Sequence, residues 1–383
     1  MISKSIVQAN RATFFILVGE PSADNHAAVL MKSILKLQPN ASFIGIGGKK
    51  MIEAGLKVFE DMDKLAVMGF IEVIKHIPFF QDLTKRALNQ IKTANPKQII
   101  LVDYPGFNLH LAKKIKKYFD IPITYYISPQ LWAWKEKRIE IIRKYVNQML
   151  VIFPFEESWY KKRGIPARFV GHPIFDEWVP TSKSYLCKEL NVNIDYPIIT
   201  LYPGSRKQEL NHHLNLFIEI ARMLKNNNSE AQFILGLAEN LDLTNFIIPP
   251  WIQINNMHPK KALECADLAL VASGSATIEA AVFETPMIII YKMNILSWWL
   301  SKWFVKTTFA GMVNIIAGKE IIPEFLQNKA TVKSIIDEAI TILNNTKRQK
   351  KMKNELINVK QALKGKGTSK SAAEYILSLL HSK

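Results

Sequence analysis

The chain has 383 residues, 48% of them hydrophobic and 22% charged, which is typical of a globular protein with room for about two domains. Its 50 Lys and Arg residues against 33 Asp and Glu give a net charge of +17, so we expect an anionic partner: nucleic acid, an anionic membrane surface or a phosphorylated substrate. Two cysteines, Cys187 and Cys265, are too few for a disulfide framework or a cysteine-based metal cluster, and no apolar stretch reaches the roughly 20 residues that span a bilayer.

Short apolar runs alternate with helical periodicity along the chain. FFILV, QIILV, ITYYI and QMLVIF occur in the first half, and PIITLY, QFILG, WIQIN, DLALVA and PMIIIY in the second. Such continuous apolar strands are typical of parallel sheets with helices on both faces. We therefore predict two α/β domains, 1–175 and 176–350, with a boundary in the proline-rich segment 168–183. Residues 351–383 are predicted to form C-terminal helices that pack on the first domain or on a partner subunit, and the lysines around their start are typical of a solvated helix face.

Ligands of open α/β sheets bind beyond the carboxyl ends of the strands, so the loops after the apolar runs are the candidate sites. After the first run, GEPSADN offers Gly19 for a tight turn and Ser22 or Asp24 as a cap for the next helix, without the GxGxxG pattern of dinucleotide sites. Asp103 is the first residue after QIILV, so we expect its carboxylate to project into the crevice as a general base towards a hydroxyl. Capping of the helix that follows suits Asn108 better, because Asn108 directly precedes the apolar periodicity.

The loop YYISPQLWAWKEKR combines two tryptophans with basic residues. Trp132 and Trp134 lie two positions apart and cannot share one helical face, so we predict a loop that leads into a basic helix. Together with Lys135 they are equally consistent with a site for a sugar or lipid phosphate and with packing at a domain interface.

Two patterns that are typical of metal sites have simpler interpretations. Asp61 and Asp63 form a D-x-D pattern, but it follows no clear strand end and precedes an apolar helical segment, so we interpret it as a helix cap. His212 and His213 are adjacent, and neighbouring residues on a helix do not converge on a metal. We therefore predict no metal site.

Two loops in the second half complement each other. LYPGSRKQEL places Gly204, Ser205 and Arg206 after one strand, and VASGSATIEA places Gly274 and Ser275 after another, before a helix that begins near residue 276. Backbone N–H groups at a helix start favour phosphate, and a guanidinium pairs bidentately with a diphosphate. The two loops together predict a site for a nucleotide diphosphate.

Glu279 lies one turn into the second of these helices, shortly after Thr277. One interpretation is a capping box, in which the Glu279 side chain reaches back to the helix start. The other is a carboxylate that accepts hydrogen bonds from the two ribose hydroxyls of a nucleotide. The residues alone leave both interpretations open.

Eight segments of the chain closely resemble those of the lipid-A-disaccharide synthase family. They are GEPSADNHAAVLM, LAVMGFIEV, VDYPGFNLHLAKKIK, YYISPQLWAWKEKRI, FPFE, VGHP, LYPGSRKQEL and SGSATIEAAVFETPMIIIYK, and they occur in the order of the family. So many separated matches make the resemblance specific rather than a likeness of fold alone.

The resemblance implies a GT-B glycosyltransferase, with two Rossmann-like parallel-sheet domains that face one another across a cleft and a sugar nucleotide held mainly by the second. It implies transfer from UDP-2,3-diacylglucosamine to 2,3-diacylglucosamine 1-phosphate (lipid X), which yields UDP and the β-1,6-linked disaccharide of lipid A biosynthesis. The anomeric centre is inverted without a metal or another cofactor. Asp103 matches the acid of the family's D-x-P motif and would take the proton of the acceptor 6-hydroxyl. The candidate substrate-binding residues are Ser22, Asn108, Gly204, Ser205, Arg206, Glu209, Gly274, Ser275, Thr277 and Glu279.

Two positions depart from the family pattern. Many relatives carry a second acid, D-x-P-D-F, where this chain has Gly106, so Asp103 would act without it. The first loop has Ala23 where a glycine is common, which reduces the backbone freedom of that loop.

The apolar segments 68–80 and 298–306 contain interspersed basic residues, as helices in the interfacial region of a bilayer do. Both substrates that the resemblance implies carry acyl chains, and the first residues, MISKSIVQANRATFF, are too polar for a signal peptide. We therefore expect a soluble cytoplasmic protein that associates peripherally with the anionic cytoplasmic face of the inner membrane. The same segments are equally consistent with core helices or a homodimer interface. The candidate membrane or acyl contacts are Met68, Phe70, Ile71, Phe79, Phe80, Trp298 and Trp299.

Two other functions compete with this interpretation. Another GT-B enzyme acting on UDP-N-acetylglucosamine, either a 2-epimerase or a peptidoglycan transferase, would share the nucleotide loops but not the segments SPQLWAWKEKR and VMGFIEV. A basic RNA-binding protein on a Rossmann-like scaffold would concentrate Lys and Arg in one groove. Here the charge is spread along the chain with an excess near its end, so we predict no nucleic-acid partner.

Overall fold

The computed structural model describes residues 12–62, 65, 77–238, 241–294, 307–365 and 367–381. The chain divides into two compact units, the first made of residues up to Trp178 together with those from Leu363 onwards, and the second of Val179–Ala362. Each unit is an α/β domain with its own parallel sheet. The predicted limit at residue 175 lies close to the first junction, after Trp178. The predicted limit at residue 350 falls inside the helix Thr346–Ala362, all of which belongs to the second domain.

Seven parallel strands in the order β3-β2-β1-β4-β5-β6-β7 form the sheet of the first domain. Phe15 of β1 lies beside Ile44 of β2 on one side and Ile99 of β4 on the other. Because the strand order reverses at β1, the loops after β1 and β4 meet at the carboxyl edge of the sheet. The strands are β1 (Thr13–Leu17), β2 (Ser42–Gly47), β3 (Leu56–Asp61), β4 (Gln98–Val102), β5 (Ile123–Tyr126), β6 (Gln148–Val151) and β7 (Ala167–Phe169).

The helices of the first domain cover this sheet. All five residues of β4 are buried, as expected for a strand with helices on both faces. Phe15, Leu17 and Leu101 belong to the main apolar cluster of the domain. The helices are α1 (Pro21–Leu37), α2 (Lys49–Glu53), α3 (Ile77–Ala94), α4 (Pro105–Tyr118), α5 (Ile139–Tyr145), α6 (Pro154–Lys161) and α7 (Ile174–Glu177).

The second domain repeats this architecture with a six-stranded parallel sheet in the order β10-β9-β8-β11-β12-β13. Its order reverses at β8, so the loops after β8 and β11 meet at the carboxyl edge. The strands are β8 (Ile198–Tyr202), β9 (Gln232–Gly236), β10 (Ile252–Asn255), β11 (Leu268–Ala272), β12 (Met287–Tyr291) and β13 (Glu324–Leu326). The helices are α8 (Lys183–Glu189), α9 (Lys207–Asn227), α10 (Pro259–Cys265), α11 (Ser275–Val282), α12 (Met312–Ala317), α13 (Val332–Asn344) and α14 (Thr346–Ala362).

The last helix, α15 (Thr368–His381), returns to the first domain, where it packs along α1. Its Ala372, Ala373 and Ile376 are fully buried. The Asp176 carboxylate accepts hydrogen bonds from the backbone N–H groups of Gly367 at 2.7 Å and Ser369 at 2.6 Å, which caps the start of α15. The end of the chain is thus an integral part of the first domain.

The lysine-rich helix α14 has the solvated face predicted for it. It buries Met352, Leu356 and Val359 along one side. On the other side it exposes Lys347, Lys350, Lys351 and Lys353. No helix within the described part of the chain has the length and apolarity needed to cross a membrane.

Four strands, β2, β3, β7 and β13, have no counterpart among the predicted elements. In β2 the apolar residues are interrupted by Gly45 and Gly47. β7 and β13 have three residues each and lie at the edges of their sheets, and β3 is an edge strand with exposed positions, so none is a continuous apolar run. Asp61 is the last residue of β3, which corrects the expectation that the D-x-D pattern follows no strand end. Asp63 lies outside the described residues.

Candidate active site

The loops after β1 and β4 are in close contact in the first domain. A Cβ atom on Gly19 would lie 2.3 Å from Cγ of Tyr104, so only glycine allows the tyrosine ring to pack here. The Tyr104 hydroxyl donates a hydrogen bond to the carbonyl of Leu65 at 3.4 Å. Burial and the nearby charge of Glu20 raise the pKa of Tyr104 to about 12, so this hydroxyl stays protonated.

Asp103 and Tyr104 are both in the left-handed backbone region, with φ of 46° each. Two successive non-glycine residues in this region cost about 1–3 kcal/mol each and persist only where the surroundings impose them. The Asp103 N–H donates to the carbonyl of Tyr126 at 3.0 Å. The Asp103 carbonyl accepts hydrogen bonds from the Asn108 side-chain amide at 2.7 Å and from the Tyr125 hydroxyl at 2.5 Å. The backbone under the Asp103 carboxylate is therefore fixed from both sides.

Asn108 is not the cap of the following helix. That helix, α4, begins at Pro105 with Tyr104 as its N-cap, and Asn108 lies inside it with no exposed surface. Its side-chain amide instead donates to the carbonyls of Val102 and Asp103. The capping prediction is wrong because the helix starts earlier than its apolar periodicity, and the substrate-binding role of Asn108 stays a prediction.

The capping prediction for the first loop is also wrong. The N-cap of α1 is Glu20, with no side-chain cap, and Ser22 lies exposed in the first turn of the helix. Asp24 is buried and reaches the next loop, where its carboxylate accepts hydrogen bonds from the N–H groups of Gly48 at 2.8 Å and Lys50 at 3.0 Å. Asp24 thereby caps α2 and ties the loops after β1 and β2 together.

The loop after β5 is organised by a buried carboxylate that was not among the predicted site residues. Glu156, which has no exposed surface, accepts hydrogen bonds on Oε1 from the Ser128 hydroxyl at 2.6 Å and the Trp132 indole N–H at 3.0 Å. Burial raises the pKa of Glu156 to about 7, against the effect of these donors. The sequence FPFE did contain a signal for this role, because it places a glutamate at the third position of α6, where a side chain can reach back to the helix start.

The two tryptophans of this loop have different surroundings. The loop leads into a short 3-10 helix and α5, as predicted. Trp132 packs on Phe155 with ring centroids 4.9 Å apart, whereas Trp134 is 36% exposed and has the Lys135 ammonium 4.4 Å from its ring centroid. Trp132 is therefore half-buried and held by contacts within the first domain, whereas Trp134 lies at the surface.

The loop after β8 contains the first half of the predicted diphosphate site. Gly204 has φ of +118°, and a Cβ there would lie 2.4 Å from a Glu209 carboxylate oxygen. The same oxygen accepts hydrogen bonds from the N–H groups of Ser205 at 2.9 Å and Arg206 at 3.3 Å. Glu209 thus occupies the N–H groups at the start of α9, while Ser205 and Arg206 are exposed.

The loop after β11 contains the second half. Gly274 and Ser275 are exposed at the start of α11, which begins one residue before the predicted position. Thr277 is fully buried and donates its hydroxyl hydrogen bond to the Gly274 carbonyl at 2.8 Å. Ser273 donates to the carbonyl of Ala310 at 2.9 Å. Thr277 therefore shapes the loop, and the exposed backbone at Gly274 and Ser275 is the part open to a ligand.

Glu279 does not form the capping box. The N-cap of α11 is Gly274 without a side-chain cap, and Oε1 of Glu279 lies 3.2 Å from Nζ of Lys260. Burial and the charge of Glu279 raise the pKa of Tyr202, at the end of β8. The Glu279 carboxylate therefore faces the edge where β8 ends, which is compatible with the ribose interpretation.

His213, which the sequence suggested only as a poor candidate for a metal ligand, makes two hydrogen bonds to loop backbone. It is fully buried in α9, with Nδ1 at 3.1 Å from the Pro203 carbonyl and Nε2 at 2.9 Å from the Lys292 N–H. Burial lowers its pKa to about 4. Among the described residues no group of three or more His, Cys, Asp or Glu side chains is arranged to hold a metal ion.

The predicted membrane and acyl contacts are mostly beyond the described residues. Phe79 and Phe80, near the start of α3, are partly buried and pack against the main apolar cluster. The Phe80 ring centroid lies 5.7 Å from that of Phe107. The others lie outside the described residues: Met68, Phe70, Ile71, Trp298 and Trp299.

Each domain therefore places different functional groups at its switch point, the place at the carboxyl edge of the sheet where the strand order reverses. The first holds the Asp103 carboxylate on a fixed backbone, which suits proton abstraction from a hydroxyl. The second offers an arginine, exposed N–H groups at a helix start and a carboxylate, which suit a nucleotide diphosphate and its ribose.

Comparison with known proteins places these features in one family. The family profile described as LpxB, lipid-A-disaccharide synthetase, matches residues 14–378. A lipid-A-disaccharide synthase of Coxiella burnetii (strain CbuK_Q154) is 37% identical over 370 residues, which cover 96% of this chain and 98% of that protein. Lipid-A-disaccharide synthase 1 of Legionella pneumophila (strain Paris) is 36% identical, with 92% of this chain and 94% of that protein covered.

Solved structures with the same fold are more distant in sequence. The UDP-GlcNAc 2-epimerase of Neisseria meningitidis superposes with a TM-score of 0.61 at 13% identity, covering 97% of this chain and 99% of that one. The calicheamicin glycosyltransferase CalG4 gives 0.60 at 12% identity, covering 97% and 98%. At this identity the likeness concerns the GT-B fold, and the family match favours neither an epimerase nor an RNA-binding protein. The chain belongs to the lipid-A-disaccharide synthase family of glycosyltransferases.

Proposed function

We propose that this chain condenses UDP-2,3-diacylglucosamine with 2,3-diacylglucosamine 1-phosphate, lipid X, to form the β-1,6-linked disaccharide 1-phosphate and UDP. The observation that carries the proposal is the family match from residue 14 to residue 378, which includes both switch-point loops. The exposed and charged residues of these loops support it, because the reaction needs a base for a hydroxyl and a site for a departing diphosphate.

In the first domain Asp103 acts as the base. As the acceptor 6-oxygen attacks the anomeric carbon, Asp103 takes the hydroxyl proton, and the bond between that carbon and the diphosphate oxygen breaks on the opposite face. One displacement of this kind inverts the anomeric centre. The strained, hydrogen-bonded backbone at Asp103 and Tyr104 supports this role, since it fixes where the carboxylate starts.

In the second domain Arg206 and the backbone at Gly274 and Ser275 bind the diphosphate of the donor. Their charge and N–H dipoles stabilise the negative charge that develops on UDP as it leaves, which lowers the barrier without a metal. Glu279 accepts hydrogen bonds from the ribose hydroxyls. The exposure of Arg206, Gly274 and Ser275 supports this assignment.

We also propose that the protein works at the cytoplasmic face of the inner membrane, as a peripheral protein and a homodimer. Both substrates carry acyl chains, and the net charge of +17 favours an anionic surface. Flotation with vesicles of anionic or neutral lipid tests the first part, and sedimentation tests the second. Equal recovery with both lipids would count against an electrostatic contribution.

The reaction itself is tested by incubating the purified chain with both lipid substrates and measuring UDP release and disaccharide formation. We expect release only when donor and acceptor are both present. Plain UDP-N-acetylglucosamine serves as the control donor. Release of UDP or epimerisation with that donor alone would overturn the proposed reaction.

A further inference from the structure

His213 joins two segments of the second domain that the sheet does not join. Pro203, whose carbonyl lies 3.1 Å from Nδ1 of His213, directly follows β8. Lys292, whose N–H lies 2.9 Å from Nε2, directly follows β12. β8 and β12 are separated by β11, so they share no ladder of backbone hydrogen bonds. The imidazole is therefore a direct link between the loops on either side of β11.

The chemistry of the two partners determines the state of the ring. A backbone carbonyl can only accept a hydrogen bond, so Nδ1 carries the proton, and a backbone N–H can only donate, so Nε2 is bare. The ring is fully buried, with the Tyr291 centroid at 5.5 Å and the Phe217 centroid at 6.0 Å. Burial lowers its pKa to about 4, which keeps this neutral tautomer at neutral pH.

The loop that His213 holds needs such an anchor. It continues from Pro203 into Gly204, whose φ of +118° is accessible mainly to glycine. Glycine also has the largest backbone freedom of all residues. Glu209 binds the far end of the loop through the N–H groups of Ser205 and Arg206. Residues four apart lie on the same face of a helix, so α9 holds both ends of the loop from one face.

We propose that His213 is a positioning residue for the donor diphosphate. It sets the position of the loop that carries Arg206 and couples this loop to the segment after β12, without touching the reacting atoms. This inference rests on the proposed role of the loop in donor binding. Loss of the link then weakens binding of the donor and of UDP, whereas the acceptor and the displacement step are unaffected.

The test compares three substitutions that remove different parts of the link. His213→Phe keeps the ring and removes both hydrogen bonds. His213→Asn keeps a donor near the Nδ1 position for Pro203, and His213→Gln keeps an acceptor near the Nε2 position for Lys292. His212→Phe is the matched control, because His212 is the exposed neighbour on the same helix.

The Kd for UDP, the KM for each substrate and kcat at saturating donor are measured for each variant, with thermal melting to verify folding. For His213→Phe we expect the Kd for UDP and the donor KM to rise about tenfold, whereas kcat and the acceptor KM stay within about twofold of the parent. For His213→Asn we expect the Kd for UDP to rise about threefold or less. A folded His213→Phe variant with the parental Kd overturns the proposal. If that variant does not fold, Asn and Gln variants with equal, parental Kd values overturn it instead.

Arg206→Ala separates this proposal from the one on which it rests. If Arg206→Ala weakens UDP binding and the His213 variants do not, the positioning role alone is wrong. If neither substitution changes UDP binding, the loop after β8 is not the diphosphate site, and the proposed donor site falls with it. Weakening by both supports both assignments.

Discussion

The two switch points solve different problems with the same topology. In the first domain, a side chain must stay at one position: Asp103 and Tyr104 have strained φ angles, and buried side chains hold the Asp103 carbonyl from two directions. In the second domain, the proposed diphosphate site needs an accessible backbone: Gly204 supplies an unusual φ without strain, and Gly274 and Ser275 remain exposed. A base gains from fixation, whereas a site for a leaving group gains from accessible N–H groups.

The largest effect is expected where the fixed carboxylate is removed. Asp103→Asn should lower kcat by about 1,000-fold, because it keeps the shape of the side chain but cannot take the proton. UDP affinity, measured by calorimetry, should stay within about twofold, since the proposed diphosphate site belongs to the second domain. Asp120→Asn, a fully exposed acid of the same domain, is the control. Loss of UDP binding by the Asp103 variant would instead indicate a structural role.

The scaffold around the first switch point should respond to pH. The folded-state pKa of Glu156 is raised to about 7, above its unfolded value of about 4.5, so the folded state binds more protons than the unfolded state between these values. This contribution to stability is therefore present at low pH and lost as pH rises through 7, by up to about 3 kcal/mol.

Urea unfolding of the parent and of Glu156→Gln at pH 5 and pH 8 measures this contribution. We expect the difference in the free energy of unfolding between the two proteins to change with pH, because only the parent has the titrating group. A constant difference across this range would show that Glu156 titrates at an ordinary pKa.

In the second domain, the charge at the loop should matter more than its shape. Arg206→Ala is expected to raise the Kd for UDP about 10- to 30-fold, because it removes a charge-assisted hydrogen bond. The Kd of Arg206→Lys should lie between those of the parent and of Arg206→Ala. Lys207→Ala, the exposed neighbour, serves as the control. If Arg206→Ala and Lys207→Ala raise the Kd for UDP to the same extent, nonspecific positive charge explains the affinity.

The smallest effect should distinguish Gly204, in a loop of the second domain, from Gly106, in helix α4 of the first. Gly204→Ala places a Cβ 2.4 Å from the Glu209 carboxylate at a φ of +118°, so we expect a loss of about 1–2 kcal/mol in stability and weaker UDP binding. Gly106→Ala in α4 meets no atom within 4 Å, and we expect it to be neutral or stabilising by up to about 1 kcal/mol. Equal melting temperatures for the two variants would contradict this comparison.

The parallel sheets and the loops that matter could be predicted from the sequence because both depend on local patterns. Nine apolar runs correspond to strands, and Asp103, Arg206 and Gly274 follow strands that meet at switch points. The edge strands β7 and β13 were not predicted because three residues each, one of them charged, leave no apolar run.

Side-chain networks could not be predicted in the same way. Asp24 caps a helix in the next loop, Glu156 binds Ser128 across 28 positions, and His213 binds Lys292 across 79. Each contact depends on which elements the fold brings together, which periodicity does not report. The predictions of the capping residues were wrong for a related reason. Helices α1 and α4 begin at Pro21 and Pro105, before the first residues of their apolar periodicity.

The return of α15 to the first domain has a consequence for synthesis of the chain. The N-terminal domain cannot complete its packing when its own strands leave the ribosome, because Ala372, Ala373 and Ile376 come last. The whole second domain is translated in the meantime, so the apolar side of α1 that faces α15 stays uncovered during that interval. Chains that terminate early, even after a complete second domain, would therefore expose a hydrophobic surface that chaperones and proteases recognise.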